Sequence, residues 1–282
     1  MKFKNYFRFL TVTFLSVLLI SAVSCKEDKA NVNALMMATT TSTDNTGLLD
    51  YLAPIFKKDT GIELKWTAVG TGKALEMGKN CDVDVLLVHA PAAEKKFVDE
   101  GSGINRTELM YNDFVIIGPK SDPAGIAKKS VADALKIIMK KKAKFASRGD
   151  NSGTHKKELS LWKAAGLAVP DKQAWYIQTG QGMLNTINIA AERDGYTMTD
   201  RGTYIKYEAN LKGKAPLVIT NEGDKELLNQ YSAIEVNPAK CSKVKSDLAK
   251  KYIQWMASEK GQKLINDFKL MNKQLFTSNA KK

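Results

Sequence analysis

Four short segments combine glycines with hydroxyl side chains in a way that suits the binding of an anion. They read TTTSTDNTG (39–47), VGTGK (69–73), SRGDNSGTH (147–155) and QTGQGM (178–183). Each follows a strand-like segment and opens a helix-like one, so its first N–H groups lack helical partners and carry the positive end of the helix dipole. Glycine lets these N–H groups approach a ligand closely, and the hydroxyls add further donors. The pattern predicts a cup of hydrogen-bond donors.

A single arginine, Arg148, stands in the third segment and adds a fixed cation. Its guanidinium fork can hold two oxygens at once. Asp44 and Asp150 lie inside donor segments, where each either caps a helix or faces the ligand. A protonated oxyanion such as hydrogen phosphate needs an acceptor, whereas a fully ionised one needs only donors. Capping alone remains the alternative explanation for any one segment, and the four together favour an anion site.

Motifs for other chemistry are absent from the sequence. Neither a GxxxxGK[ST] phosphate-binding loop nor a GxSxG nucleophile motif occurs. The two histidines, His89 and His155, lack the paired spacing of a metal site, and we predict neither a metal nor a cofactor. We expect His89 to be structural and His155 to be exposed in a first helical turn. An enzyme acting on an anionic metabolite would need His155 as its base.

The elements that position these residues alternate between strand-like and helix-like segments. Apolar residues at helical spacing predict a helix over 46–61, and strand-like segments flank it. The alternation predicts an α/β fold with parallel strands, whose carboxyl-end turns meet at one edge. Long strands near 108–118 and 231–237 are expected to cross between two domains, after which the C-terminal helices return to the first.

The first 25 residues have the pattern of an export signal: basic residues, an apolar stretch, then AVSC. Small residues before Cys25 resemble the lipobox of bacterial lipoproteins, although Ala22 stands where leucine is usual. The resemblance implies that residues 1–24 are a signal peptide, that Cys25 is lipidated and that residues 25–34 form a tether to the membrane. Ordinary signal cleavage beside an incidental cysteine is the alternative.

The net charge and the cysteines of the chain indicate which partners and which compartment suit it. The chain carries 43 Lys and Arg against 30 Asp and Glu, a net charge of +13, and loss of the signal leaves 40 − 30 = +10. This dispersed charge fits an anionic ligand or an anionic membrane surface, and no nucleic-acid motif accompanies it. Export permits a disulfide between Cys81 and Cys241, a pairing that the sequence leaves open.

Six motifs carry a family resemblance that extends over about residues 35–270. In order they read ATTTS, VGTGKAL, DVLLVHAP, YNDFVIIGP, SRGDNSGTHKKE and YTMTDRGTY. They resemble the tungstate-binding family of ABC-importer solute-binding proteins, which is related to the molybdate binders. The resemblance implies a bilobed periplasmic-binding-protein fold of type II, with two parallel-sheet lobes joined by two crossover strands. Lobe I is expected over 35–112 and 233–282, and lobe II over 113–232.

The resemblance also implies a function and a ligand set. The expected protein is a monomeric, non-enzymatic lipoprotein on the outer face of the cytoplasmic membrane or in the periplasm. It would capture tungstate, with molybdate as a second candidate ligand, for an ABC permease. A carboxylate facing the ligand would favour phosphate or another tetrahedral oxyanion instead. The residues implied to hold the oxyanion are Thr40, Thr41, Ser42, Thr71, Arg148, Ser152, Gly153, Thr154, Thr179 and Gly180.

Overall fold

The structure is a computed structural model that describes residues 33–281. The predicted signal peptide, Cys25 and nearly all of the tether lie outside the described residues. Within residues 33–281, no helix combines the length and the apolar character needed to cross a bilayer.

The described chain begins with three strands, each followed by helical structure. These elements are β1 (Ala34–Thr40), α1 (Thr41–Asp44), α2 (Leu48–Thr60), β2 (Glu63–Val69), α3 (Thr71–Lys79), β3 (Val85–Val88) and α4 (Pro91–Asp99). Strand β1 lies between β2 and β3 and pairs with both in parallel. The carboxyl ends of all three strands therefore lie at one edge of the sheet.

A second group of elements follows. They are β4 (Gly103–Pro119), α5 (Val131–Lys141), β5 (Phe145–Ser147), α6 (Gly153–Ala164), β6 (Tyr176–Gln178), α7 (Met183–Glu192), β7 (Tyr196–Asp200), α8 (Arg201–Asn210) and β8 (Leu217–Asn221). Strand β5 pairs in parallel with β6 and β7. This group repeats the arrangement of the first, so its strands also end at a common edge.

The chain then returns to the first group. A 3-10 turn (Lys225–Leu227) leads into β9 (Leu228–Val236), α9 (Ser246–Ala257), α10 (Glu259–Asp267), β10 (Lys269–Leu270), β11 (Lys273–Gln274) and β12 (Thr277–Ser278). Strand β9 pairs antiparallel with β3 and with the first part of β4. The C-terminal helices pack with the first group, in one core with β1 and α2.

Strand β4 joins the two groups, which we call lobe I (β1–β3, β9 and their helices) and lobe II (β5–β8 and their helices). Residues 103–113 of β4 pair with β9, whereas residues 114–119 pair with β7 and β8. The first predicted crossing strand, near 108–118, thus passes between the lobes. The second, near 231–237, lies in lobe I, where β9 pairs with β3 and β4, and the return between the lobes runs through residues 222–227. The α/β bilobed architecture is confirmed, while the lobe boundaries drawn from sequence stay a prediction.

Each lobe has its own apolar core. In lobe I, Phe56 of α2 packs edge-on against Tyr252 of α9, with ring centroids 5.4 Å apart. In lobe II, Trp162 of α6 packs edge-on against Phe145 of β5 at 5.6 Å. All four side chains are at most 1% exposed, and burial of such a side chain stabilises the fold by roughly 1.5–3 kcal/mol. These cores hold the strand ends in place.

The helix predicted over 46–61 begins later and has a different cap than the sequence suggests. Asp44 is expected to cap a helix or to face the ligand, but residues 41–44 form their own turn, α1, capped by Thr40. The longer helix α2 starts after Gly47, whose φ of +79° suits glycine, and it stops at Gly61. The Thr40 hydroxyl is the cap because it accepts a hydrogen bond from the Thr43 N–H, one turn before α2 begins.

The structure shows that Cys81 and Cys241, whose pairing the sequence leaves open, are bonded to each other. Cys81 and Cys241 form a disulfide, with their Cα atoms 5.4 Å apart and a sequence separation of 160. The bond ties the end of α3 to the segment after β9. It is therefore a covalent staple inside lobe I, in keeping with the predicted export of the chain.

Candidate anion-binding site

A cavity of about 430 Å³ lies where the strand ends of the two lobes face one another. Lobe I contributes Thr41 and Ser42, which follow β1 directly. Lobe II contributes Arg148 after β5, Thr154 at the start of α6 and Asp200 at the end of β7. The cavity thus occupies the place where α/β sheets bind ligands, and the donor segments of both lobes line it.

The lobe I wall is a short hydroxyl turn. Thr40 is buried and caps α1, because its Oγ1 accepts from the Thr43 N–H at 3.2 Å. The same oxygen lies 2.6 Å from Thr43 Oγ1 and 3.1 Å from Ser42 Oγ. Thr40 therefore lies behind the wall, while the exposed side chains of Thr41 and Ser42 face the cavity.

His89, at the end of β3, supports this turn from the side. Its Nε2 lies 3.1 Å from both Ser42 Oγ and Thr40 Oγ1. Its Nδ1 lies 2.9 Å from Asn229 Oδ1, and its ring stacks on Tyr231 with centroids 4.7 Å apart. Packing around the ring lowers the pKa of His89, although the Asn229 contact and the charge of Asp200 act in the opposite direction. His89 is thus held as a neutral imidazole between the wall and the crossover strands.

The lobe II wall supplies the charge. Arg148 Nη2 donates to Asp150 Oδ2 at 2.5 Å, and the Arg148 side chain is only 19% exposed. Its Nε is buried and has no hydrogen-bond partner within the described part of the chain. Burial favours a higher pKa for Asp150, but hydrogen bonds from Ser152 and the positive charge of Arg148 outweigh it and leave that pKa below the usual value. Arg148 is therefore a fixed cation with an unused buried donor beside the cavity.

The start of α6 adds backbone donors to this wall. Ser152 is the N-cap, and its Oγ accepts from the His155 N–H at 3.3 Å. Its own N–H donates to Asp150 Oδ1 at 3.1 Å, which fixes the loop. The N–H groups of Gly153 and Thr154 have no acceptor among residues 33–281. A helix start with two unused N–H groups beside an arginine is an arrangement that binds anions.

The turn at 178–183 holds the arginine loop in place. The carbonyl of Arg148 accepts from the Gly180 N–H at 2.9 Å and from Thr179 Oγ1 at 3.4 Å. Gly149 has a φ of +60°, and a Cβ there would lie 3.0 Å from Gln178 Cβ, so glycine suits this close approach. Thr179 and Gly180 thus contact the backbone of Arg148, and neither lines the cavity.

A buried carboxyl group lies beneath the arginine loop. Glu158 accepts hydrogen bonds from Ser147 Oγ at 2.6 Å, Tyr176 OH at 2.6 Å and Trp162 Nε1 at 3.0 Å. Burial raises its pKa above the usual value, while these donors act to lower it. Because Ser147 is the last residue of β5 and directly precedes Arg148, the Glu158 network joins α6 to the strand end from which the arginine loop starts.

Strand β7 and helix α8 contain cavity residues that the sequence interpretation missed. Asp200, Thr203 and Lys206 all line the cavity. Asp200 caps α8, accepting from the Thr203 N–H at 2.8 Å and from Thr203 Oγ1 at 2.7 Å. Lys206 reaches across to donate to the carbonyl of Asn45 in lobe I. A usable signal was present, because β-branched residues before an Asp-x-x-Thr cap are typical of a strand that leads into a helix.

The structure brings together part of the implied ligand set. Four of the ten residues line the cavity: Thr41, Ser42, Arg148 and Thr154. The residues that lie immediately behind the walls, in the contacts described above, are Thr40, Ser152, Thr179 and Gly180. Gly153 stands next to Thr154 at the start of α6, and its N–H has no acceptor among residues 33–281. Thr71 is the first residue of α3 and does not line the cavity. Which of these residues touch an anion stays a prediction.

The prediction that His155 is exposed is wrong. His155 is 8% exposed, and its Nδ1 accepts from the Asn151 N–H at 3.0 Å. That hydrogen bond pulls the ring into the loop, where Asn151 has a φ of +58°. His155 also does not line the cavity, so it is an anchor of the loop before α6.

Comparisons with known proteins agree on one family. The profile of the PBP superfamily domain matches residues 27–260. The tungstate-binding protein TupA of Campylobacter jejuni is 56% identical over 240 residues, which is 85% of this chain and 89% of that protein. TupA of Peptoclostridium acidaminophilum is 47% identical over 254 residues, or 88% of this chain and 87% of that protein.

Solved structures give the same result. The tungstate-binding protein TupA from Desulfovibrio alaskensis G20 matches with a TM-score of 0.87 and 71% identity, over 88% of this chain and 99% of that one. The tungstate ABC transporter structure from Geobacter sulfurreducens matches with a TM-score of 0.72 and 51% identity, over 83% and 98%. The chain therefore belongs to the PBP superfamily and, within it, to the family of the tungstate-binding proteins TupA.

Proposed function

We propose that this protein is an extracytoplasmic solute-binding protein that captures the tungstate dianion for an ABC importer. The observation that carries the proposal is the buried Nε of Arg148, which has no partner within residues 33–281 and lies beside a cavity. A buried donor without a partner is costly, and an oxyanion at this place would satisfy it. The family, whose named members bind tungstate, supports the same ligand.

The arrangement suits a fully ionised tetrahedral anion. The Arg148 guanidinium and the free N–H groups of Gly153 and Thr154 approach from lobe II, and the hydroxyls of Thr41 and Ser42 approach from lobe I. Burial of a dianion is unfavourable unless such donors compensate it. Closure of lobe II over an anion held by both walls would produce the form that docks on the permease.

The finer points of the proposal concern the termini and the domains. We propose that Cys25 carries the lipid anchor after removal of residues 1–24, and that the lobes comprise 35–112 with 233–282 and 113–232. The protein acts as a monomer and does not catalyse a reaction. The basic net charge, 40 − 30 = +10 after removal of residues 1–24, supports capture of an anion near the membrane, since long-range attraction raises association rates.

Phosphate is the second candidate, and one observation favours it. Asp200 lines the cavity as a carboxylate, and a protonated oxyanion such as hydrogen phosphate needs an acceptor. Both Asp200 oxygens already accept hydrogen bonds from Thr203, which reduces their availability. We therefore rank phosphate below tungstate.

Calorimetric titration of the exported form of the protein tests both candidates. Tungstate, molybdate, sulfate and phosphate are titrated in turn into the wild type, Arg148→Ala and Ser160→Ala. We expect tight one-to-one binding of tungstate, loss of at least about a hundredfold in Arg148→Ala, and little change in the control, because Ser160 is exposed on α6 and lies outside the cavity. Tight binding of phosphate alone would keep the site and overturn the ligand, and binding of none of the four would overturn the proposal.

A further inference from the structure

We propose that His89 is a positioning residue of the anion site. The lone pair on its Nε2 accepts a hydrogen bond from the Ser42 hydroxyl and so holds that hydroxyl in place before the anion binds. The inference rests on the proposed function, since the hydroxyl is ordered for an oxyanion. His89 itself does not line the cavity, whereas Ser42 does. Its effect on binding would therefore pass through Ser42.

The network around His89 fixes which ring nitrogen carries the hydrogen. Asn229 Nδ2 donates to Asn112 Oδ1 at 2.8 Å, so the oxygen of the Asn229 amide faces the histidine. Nδ1 must then donate to that oxygen, which leaves Nε2 of the neutral ring as an acceptor. The stack on Tyr231 prevents the ring from turning away. The tautomer follows from the contacts alone.

Two hydroxyls compete for that one lone pair. Ser42 Oγ and Thr40 Oγ1 both lie 3.1 Å from Nε2, and Nε2 can accept one hydrogen at a time. When the cavity is empty, Ser42 donates to His89, which holds an otherwise exposed side chain in one rotamer. When an oxyanion arrives, the Ser42 hydrogen turns to the ligand and Thr40 donates to His89 instead. Neither state leaves Nε2 unsatisfied.

The charged and titratable groups near the ring are consistent with a neutral acceptor. Asp200 approaches from the end of β7 and favours protonation of the ring, and Tyr231 covers one face from β9. Glu94 accepts from the neighbouring Ala90 N–H but is ion-paired with Arg106. Burial of the ring outweighs the attraction of Asp200, so the pKa of His89 stays below its usual value.

A matched pair of variants separates the acceptor from mere packing. His89→Gln and His89→Leu both lose the stacked ring, but only Gln can place an acceptor oxygen near the former Nε2. We expect the affinity for tungstate, measured by calorimetry, to fall about fivefold in His89→Leu and to stay within about twofold of wild type in His89→Gln. Equal losses in both variants, or no loss in either, would overturn the proposal.

A double-mutant cycle and a spectroscopic measurement complete the test. In the Ser42→Ala background, His89→Leu should cost no further affinity, because the hydroxyl that His89 orders is gone.

The protein has two histidines, so ¹⁵N NMR resolves both rings, and His155→Ala assigns them. We expect His89 to carry its hydrogen on Nδ1 with and without tungstate. An additive cycle, or a hydrogen on Nε2, would contradict the inference, whereas failure of the wild type to bind tungstate would instead overturn the proposed function.

Discussion

The lobe I wall of the cavity is built from neutral groups, whereas the lobe II wall carries charge. On the first side Thr41 and Ser42 present hydroxyls, backed by the His89 imidazole. On the second side Arg148 is paired with Asp150 and lies beside the start of α6. The hydroxyls can redirect their hydrogens between the Nε2 acceptor of His89 and a ligand, but a guanidinium fork has fixed geometry. Lobe I thus adapts to the ligand, and lobe II sets its charge and shape.

The supports of the two lobes differ as well. Lobe I has a disulfide, Cys81–Cys241, between α3 and the segment after β9. Lobe II instead has the buried Glu158 network beneath its wall. A covalent staple does not respond to pH, whereas a buried carboxyl group does. We therefore expect that stability and ligand binding can be perturbed separately in this molecule.

The largest expected effect comes from removing the staple. The double variant Cys81→Ser/Cys241→Ser should lower the free energy of unfolding by about 2–5 kcal/mol, because the unfolded chain regains the freedom of a long loop. Denaturant unfolding measures the change. Tungstate affinity of the folded variant should equal that of wild type, since neither cysteine lines the cavity. A folded variant that no longer binds would show that the supports and the site are not separable.

The second prediction breaks the fixed geometry of lobe II while keeping its charge. Arg148→Lys retains a cation but loses the planar fork, so it can no longer satisfy Asp150 and the anion at once. We expect tungstate to bind about thirtyfold more weakly by calorimetry, which corresponds to about 2 kcal/mol. The matched lobe I control, Ser42→Ala, should lose less than tenfold. Equal losses on both sides would remove the distinction between an adaptable and a fixed wall.

The sequence shows the chemistry of the arginine loop of lobe II more directly than it shows the support of the lobe I wall. The loop at 147–155 contains an arginine, a capping serine and glycines in adjacent positions, so its chemistry is local and visible. The support of the lobe I wall is not local: His89 lies 47 residues from Ser42 and 140 from Asn229 in sequence. No spacing rule connects such distant residues, and only the pairing of β1, β3 and β9 brings them together.

The elements of the fold were also predicted unevenly. Helix α2, expected over 46–61, and strand β4, expected near 108–118, lie close to the predicted places. Strand β7 and helix α8 were missed because α8 is polar along much of its length, which gives no amphipathic signal. The sequence does not determine the disulfide, because two cysteines that are far apart in sequence do not show that they meet in space. Contacts that depend on tertiary packing are what the sequence could not provide.

The third prediction tests the buried support of lobe II through its dependence on pH. The folded-state pKa of Glu158 is raised, so the native state favours the protonated form. This contribution to stability is fully present below the unfolded pKa, near 4.5, and is lost as pH rises through the folded pKa. Glu158→Gln does not titrate, so the stability of wild type relative to this variant should fall as pH rises above about 4.5, by at most about 1.4 kcal/mol per pH unit.

Denaturant unfolding of both proteins between pH 4 and pH 8 measures this difference. Glu63→Gln serves as the control at a partly exposed carboxyl group outside the network. A stability difference that does not change with pH would mean that Glu158 does not titrate on unfolding. In that case the Glu158 network of lobe II would be as independent of pH as the disulfide of lobe I, and the difference between the two supports would be disproved.

The smallest expected effect concerns the contact that joins the two walls. Lys206 of α8 lines the cavity and donates to the Asn45 carbonyl of lobe I. Lys206→Met removes this link. We expect tungstate to dissociate about twofold to fivefold faster in stopped-flow measurements, because a hydrogen bond from a charged donor to one carbonyl contributes only modestly to stability. Lys273→Met is the matched control, since Lys273 also joins the lobes through Glu208 but lies outside the cavity. Its exposed ion pair should contribute less, so its dissociation rate should stay near that of wild type. Equal acceleration in both variants would mean that any link between the lobes retains the ligand, and that Lys206 has no particular place in the charged wall.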